Sequence, residues 1–158
     1  MGRRVLVVAA ALAVLLAACS SGPVRRISEP AASIQQLAVQ ADGSWSVSLR
    51  LQNYSSIPMR FDTIALGIRV EGEAAGSLDA APALEIGPES ADVIRIELQP
   101  ESGARMLLAD ALAGRRGVGY ELEGTIDATP TDRGSTRSYE VKRSSALSPA
   151  PGLPGVLR

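Results

Sequence analysis

Glu121 and Glu123 stand two residues apart, which on a β-strand puts both carboxylates on one face about 7 Å from each other. Glycoside hydrolysis uses paired carboxylates at roughly such a distance, provided that one member is desolvated and so keeps its proton. Alternation sets both on the polar side of their strand, beside other charges, and the pair reads as a solvated strand face. Asp127, Asp132, Glu71 and Glu73 offer oxygens to Ca²⁺, but without the dense spacing of a calcium loop. Gly114-Arg115-Arg116-Gly117 lacks the spacing and the lysine of a phosphate loop. Asn53-Tyr54-Ser55 has the form of a glycosylation triplet, which at this length carries no information. The 158 residues include no histidine and one cysteine. That removes Ser-His-Asp and Cys-His catalysis, most zinc sites and any internal disulfide. The expectation is a non-enzymatic chain with no catalytic, cofactor-binding or metal-ligating residue and no cofactor.

Composition narrows the classes further. Lys+Arg number 16 against 17 Asp+Glu, and no basic block concentrates the positive charge as a nucleic-acid binder requires. Five aromatics (Trp45, Tyr54, Phe61, Tyr120 and Tyr139) are too few for a base-stacking platform. No nucleic-acid partner is expected.

The single cysteine, Cys19, ends a distinctive leader. Arg3 and Arg4 precede an uncharged apolar run, Val5 to Ala18, whose 14 residues fall short of a bilayer-spanning helix, which takes about 20. A basic start, a short apolar core and a small-residue exit describe a signal peptide over residues 1–18. Leu16-Ala17-Ala18-Cys19 resembles the bacterial lipobox. The resemblance implies diacylglyceryl transfer to the Cys19 sulfur, cleavage before Cys19 and acylation of the new amino group. Two acyl chains already hold a protein stably on a membrane, so three would make release negligible. Ser20, in place of Asp after the cysteine, goes in such lipoproteins with transfer to the outer membrane, on its periplasmic face. Loss of Arg3 and Arg4 leaves 14 basic and 17 acidic side chains, a net charge of −3.

Behind the anchor, residues 19–33 read as a flexible tether: Ser20 to Ser33 holds four serines, one glycine, two prolines and no periodicity. Arg25 and Arg26 in this stretch are read as solvated linker charges, with contact to anionic headgroups as the alternative. Residues 144–158, with Pro149, Pro151, Pro154, Gly152 and Gly155, read as a disordered tail. Between them Ile34 to Arg143 is long enough for one two-layer domain.

Alternation is the dominant signal within that domain. Trp45, Val47, Leu49 and Leu51 alternate with polar residues over one strand, and Ile64, Leu66, Ile68 and Val70 over another. Met59 and Phe61 have the opposite parity to Ile64, which predicts a bulge near Asp62-Thr63. Ile94, Ile96 and Leu98 form a further strand, as do Val118, Tyr120, Leu122 and Ile126. Weaker strands are Leu37–Val39, Leu84–Ile86 and Tyr139–Val141. About seven short strands predict an antiparallel sandwich. Ser102 to Gly114, rich in Ala and Leu, predicts one helix, with Ser102 as N-cap and Gly114 ending it in the left-handed conformation. Its apolar face is read as Met106, Leu107 and Ala111 with Leu108 nearby.

Three stretches together resemble the WHy (water stress and hypersensitive response) domain, the late-embryogenesis-abundant type 2 fold. They are Val47-Ser-Leu-Arg-Leu-Gln-Asn-Tyr-Ser-Ser-Ile-Pro58, then Ile64-Ala-Leu-Gly-Ile-Arg-Val-Glu-Gly-Glu-Ala-Ala-Gly76 with a tight turn at Gly72. The third joins Ile86–Leu98 to Tyr120–Ile126, in the family's order over roughly Ile34 to Ala128. The family's Asn-Pro-Asn turn is here Asn53-Tyr54-Ser55-Ser56, which keeps only Asn53. An Asn at a strand exit can bond nearby backbone. The resemblance implies an all-β, fibronectin type III/immunoglobulin-like sandwich with one short helix, in proteins tied to desiccation and other stress. The expectation is a non-enzymatic, membrane-anchored envelope lipoprotein associated with stress. Its partner is membrane lipid, through acylated Cys19. The alternative is a protein- or lipid-binding adaptor in envelope assembly or transport, using an exposed sheet edge or the helix-side groove, with an envelope protein as partner.

Overall fold

The computed structural model describes residues 25–132 and 134–158, so the leader, Cys19 and the first part of the tether lie outside the described residues. Nine strands and one helix occur among the described residues: β1 (Ala31–Val39), β2 (Trp45–Gln52), β3 (Met59–Val70), β4 (Glu73–Ala80), β5 (Leu84–Ile86), β6 (Ala91–Leu98), α1 (Ser102–Ala113), β7 (Val118–Pro130), β8 (Arg137–Leu147) and β9 (Val156–Leu157). They build the antiparallel sandwich that the alternation predicts. One sheet runs β6-β2-β1-β9 and the other β4-β3-β7-β8, with β5 sharing the β4 side of β3.

The alternating residues face each other across the core. Trp45, Val47, Leu49 and Leu51 from β2 meet Met59, Phe61, Ile64, Leu66, Ile68 and Val70 from β3 and Leu122 and Ile126 from β7, all buried. The expected bulge is present: the β3–β7 register slips between Phe61 and Thr63. It lets residues of both parities on β3 point inward. The gap in the β7 pattern between Leu122 and Ile126 is Gly124, where an added Cβ would lie 2.1 Å from the Ala65 carbonyl oxygen. Only a residue without a side chain lets β7 approach β3 there.

Two strands had no clear sequence signal. Val70 and Glu73 pair across Glu71-Gly72, both with positive φ (50° and 82°), a two-residue hairpin turn that starts β4 at once. Glu-Ala-Ala-Gly-Ser-Leu-Asp-Ala has poor strand propensity, yet Ala75 and Leu78 are fully buried. Sheet pairing overrides propensity here.

The expected tail needs correction. β8 continues to Leu147, past the Ser144 boundary, and the chain then folds back to place β9 against Leu37 and Ala38 of β1. Ser148 and Arg158 exchange both backbone hydrogen bonds (2.7 and 2.9 Å), the Val39 N–H donates to the Gly155 carbonyl (2.9 Å), and Leu157 is fully buried. Prolines and glycines shape this return as turns while the residues between them supply the ladder. The tether is also shorter than expected, because residues 25–30 are seated on the body and β1 begins at Ala31.

The helix ends differ from expectation as well. Glu101 stands at the N-cap without a side-chain cap, Gly114 keeps a right-handed φ of −80°, and Arg115 takes the positive φ instead (51°). Ala104, Leu108 and Ala111 face the core, while Met106 is 73% exposed and Leu107 37%. The sequence spacing 104, 108, 111 is itself a helical stripe. A purely hydrophobic reading is drawn away from it by the larger Met106 and Leu107.

Candidate functional site

Strand directions give the sandwich two unlike ends. Residues 25–30, 53–58, 87–90 and 131–132 gather at the linker end; the β1–β2 turn, the Glu71-Gly72 hairpin, α1 and the 148–155 return gather at the helix end. The linker end follows Cys19 in the chain, and it is built around Asn53. This side chain is almost fully buried and donates through Nδ2 to the carbonyls of Ile57 (2.9 Å), Ile86 (3.1 Å) and Gly87 (2.9 Å). Its Oδ1 accepts the Ser55 N–H (2.8 Å). The amide thus ties the β2 exit to β5 and closes the turn. Asn53 is the residue of the turn that sequence inspection singled out for bonding to nearby backbone.

Next to this turn lies the incoming chain. The Ser28 N–H donates to Ser55 Oγ (2.9 Å), and the Arg26 N–H to Ser56 Oγ (2.8 Å), while the Ser56 N–H returns to the Arg26 carbonyl (3.0 Å). The Arg26 guanidinium donates to the Tyr54 carbonyl and to Glu89 (both 3.2 Å), and Arg25 pairs with Asp132 at 2.7 Å. Arg25 and Arg26 are therefore paired residues of the folded body and not of a linker, a correction to that part of their reading, while both stay exposed to solvent as expected. Tyr54 stands beside them with half its surface exposed (51%).

The carboxylates considered for chemistry stay apart from any such construction. Glu121 and Glu123 are exposed on the outer face of β7, with Arg69 Nε 4.0 Å from Glu121. The shallow depression beside them, about 320 Å³, exists because Gly67, Ala74 and Gly76 have so little side chain. Glu71 accepts the Gly119 N–H, and Asp132 faces Arg25. Among the described residues no three acidic or cysteine side chains converge as a metal site. Gly114-Arg115-Arg116-Gly117 forms the turn after α1, where Arg116 pairs with Asp110.

Two carboxyls are held below the ordinary carboxylate range by hydrogen bonds. Asp127 accepts from the Thr63 hydroxyl (2.6 Å) and also from Ser138, against a small opposing effect of burial. Asp42 accepts from the Ser44 hydroxyl (2.6 Å) and backbone N–H (2.9 Å), fixing the β1–β2 turn.

The helix-side groove expected from the sequence lacked one wall, the C-terminal return, because residues 144–158 read as a tail. About 820 Å³ lies between the end of α1 and the C-terminal return, lined by Leu112, Arg115, Pro151, Leu153 and Val156 among others.

Comparison with known proteins yields fold likeness only. No family model and no curated protein matches the chain. A crystal structure of a protein from Archaeoglobus fulgidus is similar over 79% of this chain and 98% of its own, with 12% identity and a TM-score of 0.43. A solution structure of a protein from Arabidopsis thaliana is similar over 80% of this chain and 82% of its own, with 13% identity and a TM-score of 0.46. No helix among the described residues is long and apolar enough to cross a membrane.

Proposed function

We propose that this protein is a non-enzymatic lipoprotein of the bacterial envelope, anchored through acylated Cys19, whose WHy-like sandwich serves in desiccation or related stress. One observation carries the reading: the only cysteine of the chain falls at the end of Leu16-Ala17-Ala18-Cys19, directly behind a basic and apolar leader. The anchor chemistry needs a cysteine at that position and nowhere else. The body behind it suits a shielding or spacing role, since its outward strand positions are mostly polar or charged and its candidate carboxylates are solvated. Ser20 favours the periplasmic face of the outer membrane.

Mass spectrometry of the mature protein tests the anchor. The expected N-terminus is Cys19 carrying a diacylglyceryl thioether and an amide-linked acyl chain; a free thiol there would end the proposal. Deletion of the gene, followed by drying or high salt, tests the role, with reduced survival expected. The cleft at the helix end favours a second reading, an adaptor that holds a protein or lipid partner there. One stoichiometric partner recovered from solubilised envelope, lost when Leu153 is replaced by Asp, would support it over protection.

A further inference from the structure

We infer that the linker end of the sandwich, marked by Arg25, Arg26, Tyr54 and Glu89, faces phospholipid headgroups, and that α1 and the cleft beside it point away from the bilayer. This rests on the lipid anchor at Cys19 and adds an orientation to it. Six Cα–Cα steps separate Cys19 from Arg25; fully extended, they reach roughly 20 Å. The 12 residues of β3 alone run about 40 Å from the linker end to the helix end. The chain is already fixed to the body at Arg25 and Arg26 by the contacts to Asp132, Glu89, Tyr54 and Ser56, so no further slack is released behind them. An anchor shorter than the body, attached at one end of it, keeps that end at the membrane.

The chemistry of this end agrees with a headgroup layer. Tyr54 presents a half-exposed ring with a polar tip, the kind of side chain favoured where apolar and aqueous phases meet. Both arginines pair with exposed carboxylates, so the two pairs carry no net charge toward anionic lipid. The orientation is therefore set by the tether and not by charge, and it is the same over zwitterionic and anionic headgroups.

The test uses the full, processed chain in phosphatidylcholine vesicles containing a headgroup-nitroxide lipid. Cysteine variants Tyr54→Cys and Thr131→Cys at the linker end, and Met106→Cys on α1, each carry a fluorophore; the Cys19 sulfur is consumed by its thioether and takes no label. All three positions are exposed, so the fold tolerates labelling. Quenching at positions 54 and 131 is expected to exceed that at 106 at least threefold, with the same ratio when a third of the lipid is phosphatidylglycerol. A linker lengthened by twenty Gly/Ser residues after Gly22 is expected to erase the difference. Equal or reversed quenching in material whose mass shows acylated Cys19 overturns the orientation and leaves the anchor standing. A ratio that changes with anionic lipid, or that survives the longer linker, overturns the tether as its cause. Absence of the acyl mass overturns the anchor, and the orientation with it.

Discussion

Asn53 concentrates more of the linker end's order than any other single side chain there. Replacement by Ala strands three carbonyls, those of Ile57, Ile86 and Gly87, in a buried turn. A cost of about 2–4 kcal/mol is expected from losing those partners, read as a drop in the urea midpoint. Trp45 acts differently. Trp45 pairs across the ladder with Val39 of β1 and Leu98 of β6 and is fully buried, and its Nε1–H has no hydrogen-bond partner among the described residues. Its contribution is volume, so Trp45→Ala should cost about 3–5 kcal/mol while Trp45→Phe costs much less. Asp127 makes a third case, through pH. Its folded pKa lies below the unfolded value because the Thr63 hydroxyl, and then Ser138, bond the ionised form. The stability it adds is present above the unfolded pKa and lost as pH falls through the lower, folded one. Thr63→Val should move the Asp127 titration upward, followed by carboxyl NMR shifts. It should also narrow the gap in unfolding midpoint between neutral and acid solution.

Strands that bury one face announced themselves, and those held by their neighbours did not. β2, β3 and β7 carry large apolar residues at most of their inward positions, and even the β3 bulge follows from the parity change between Phe61 and Ile64. β4 was illegible because alanine, glycine and serine fill it; its pairing comes from the hairpin turn at Glu71-Gly72 and from β3. β9 was illegible for another reason: two residues among prolines and glycines have no period to read, and only the groove beside β1 selects them. The same limit hid one wall of the cleft, and it turned the seating of Arg25 and Arg26 into an apparent linker. Asn53 could be picked out because its type has a purpose at a strand exit; its three carbonyl partners, 4 to 34 residues away, could not. The return of the chain makes a sharp prediction at this scale. Leu157→Ala should destabilise the protein by about 2–5 kcal/mol in denaturant, the cost of a core cavity. A loose tail would show no change, so the measurement separates a closing strand from an appendage.

At the scale of the molecule, folding and the proposed anchoring fall to separate stretches of chain. Among the described residues the buried core belongs to β1–β9 and α1, and none of it precedes Ala32. Ile27, itself partly buried, packs against that core. The chemistry proposed for the anchor belongs to Cys19 and the leader before it. Cys19→Ala should therefore alter processing without altering the fold. With no sulfur to receive the diacylglyceryl group, the leader is not removed, and a species that keeps the 18 leader residues and carries no acyl chain accumulates in the membrane fraction. The unfolding free energy of its sandwich should stay within about 0.5 kcal/mol of the mature protein, as for a substitution that touches no packed group. Whole-protein mass spectrometry and a denaturant titration in detergent read the two halves independently. Normal maturation of the variant would refute lipidation at Cys19, whereas a large loss of stability would show that the leader region packs on the body.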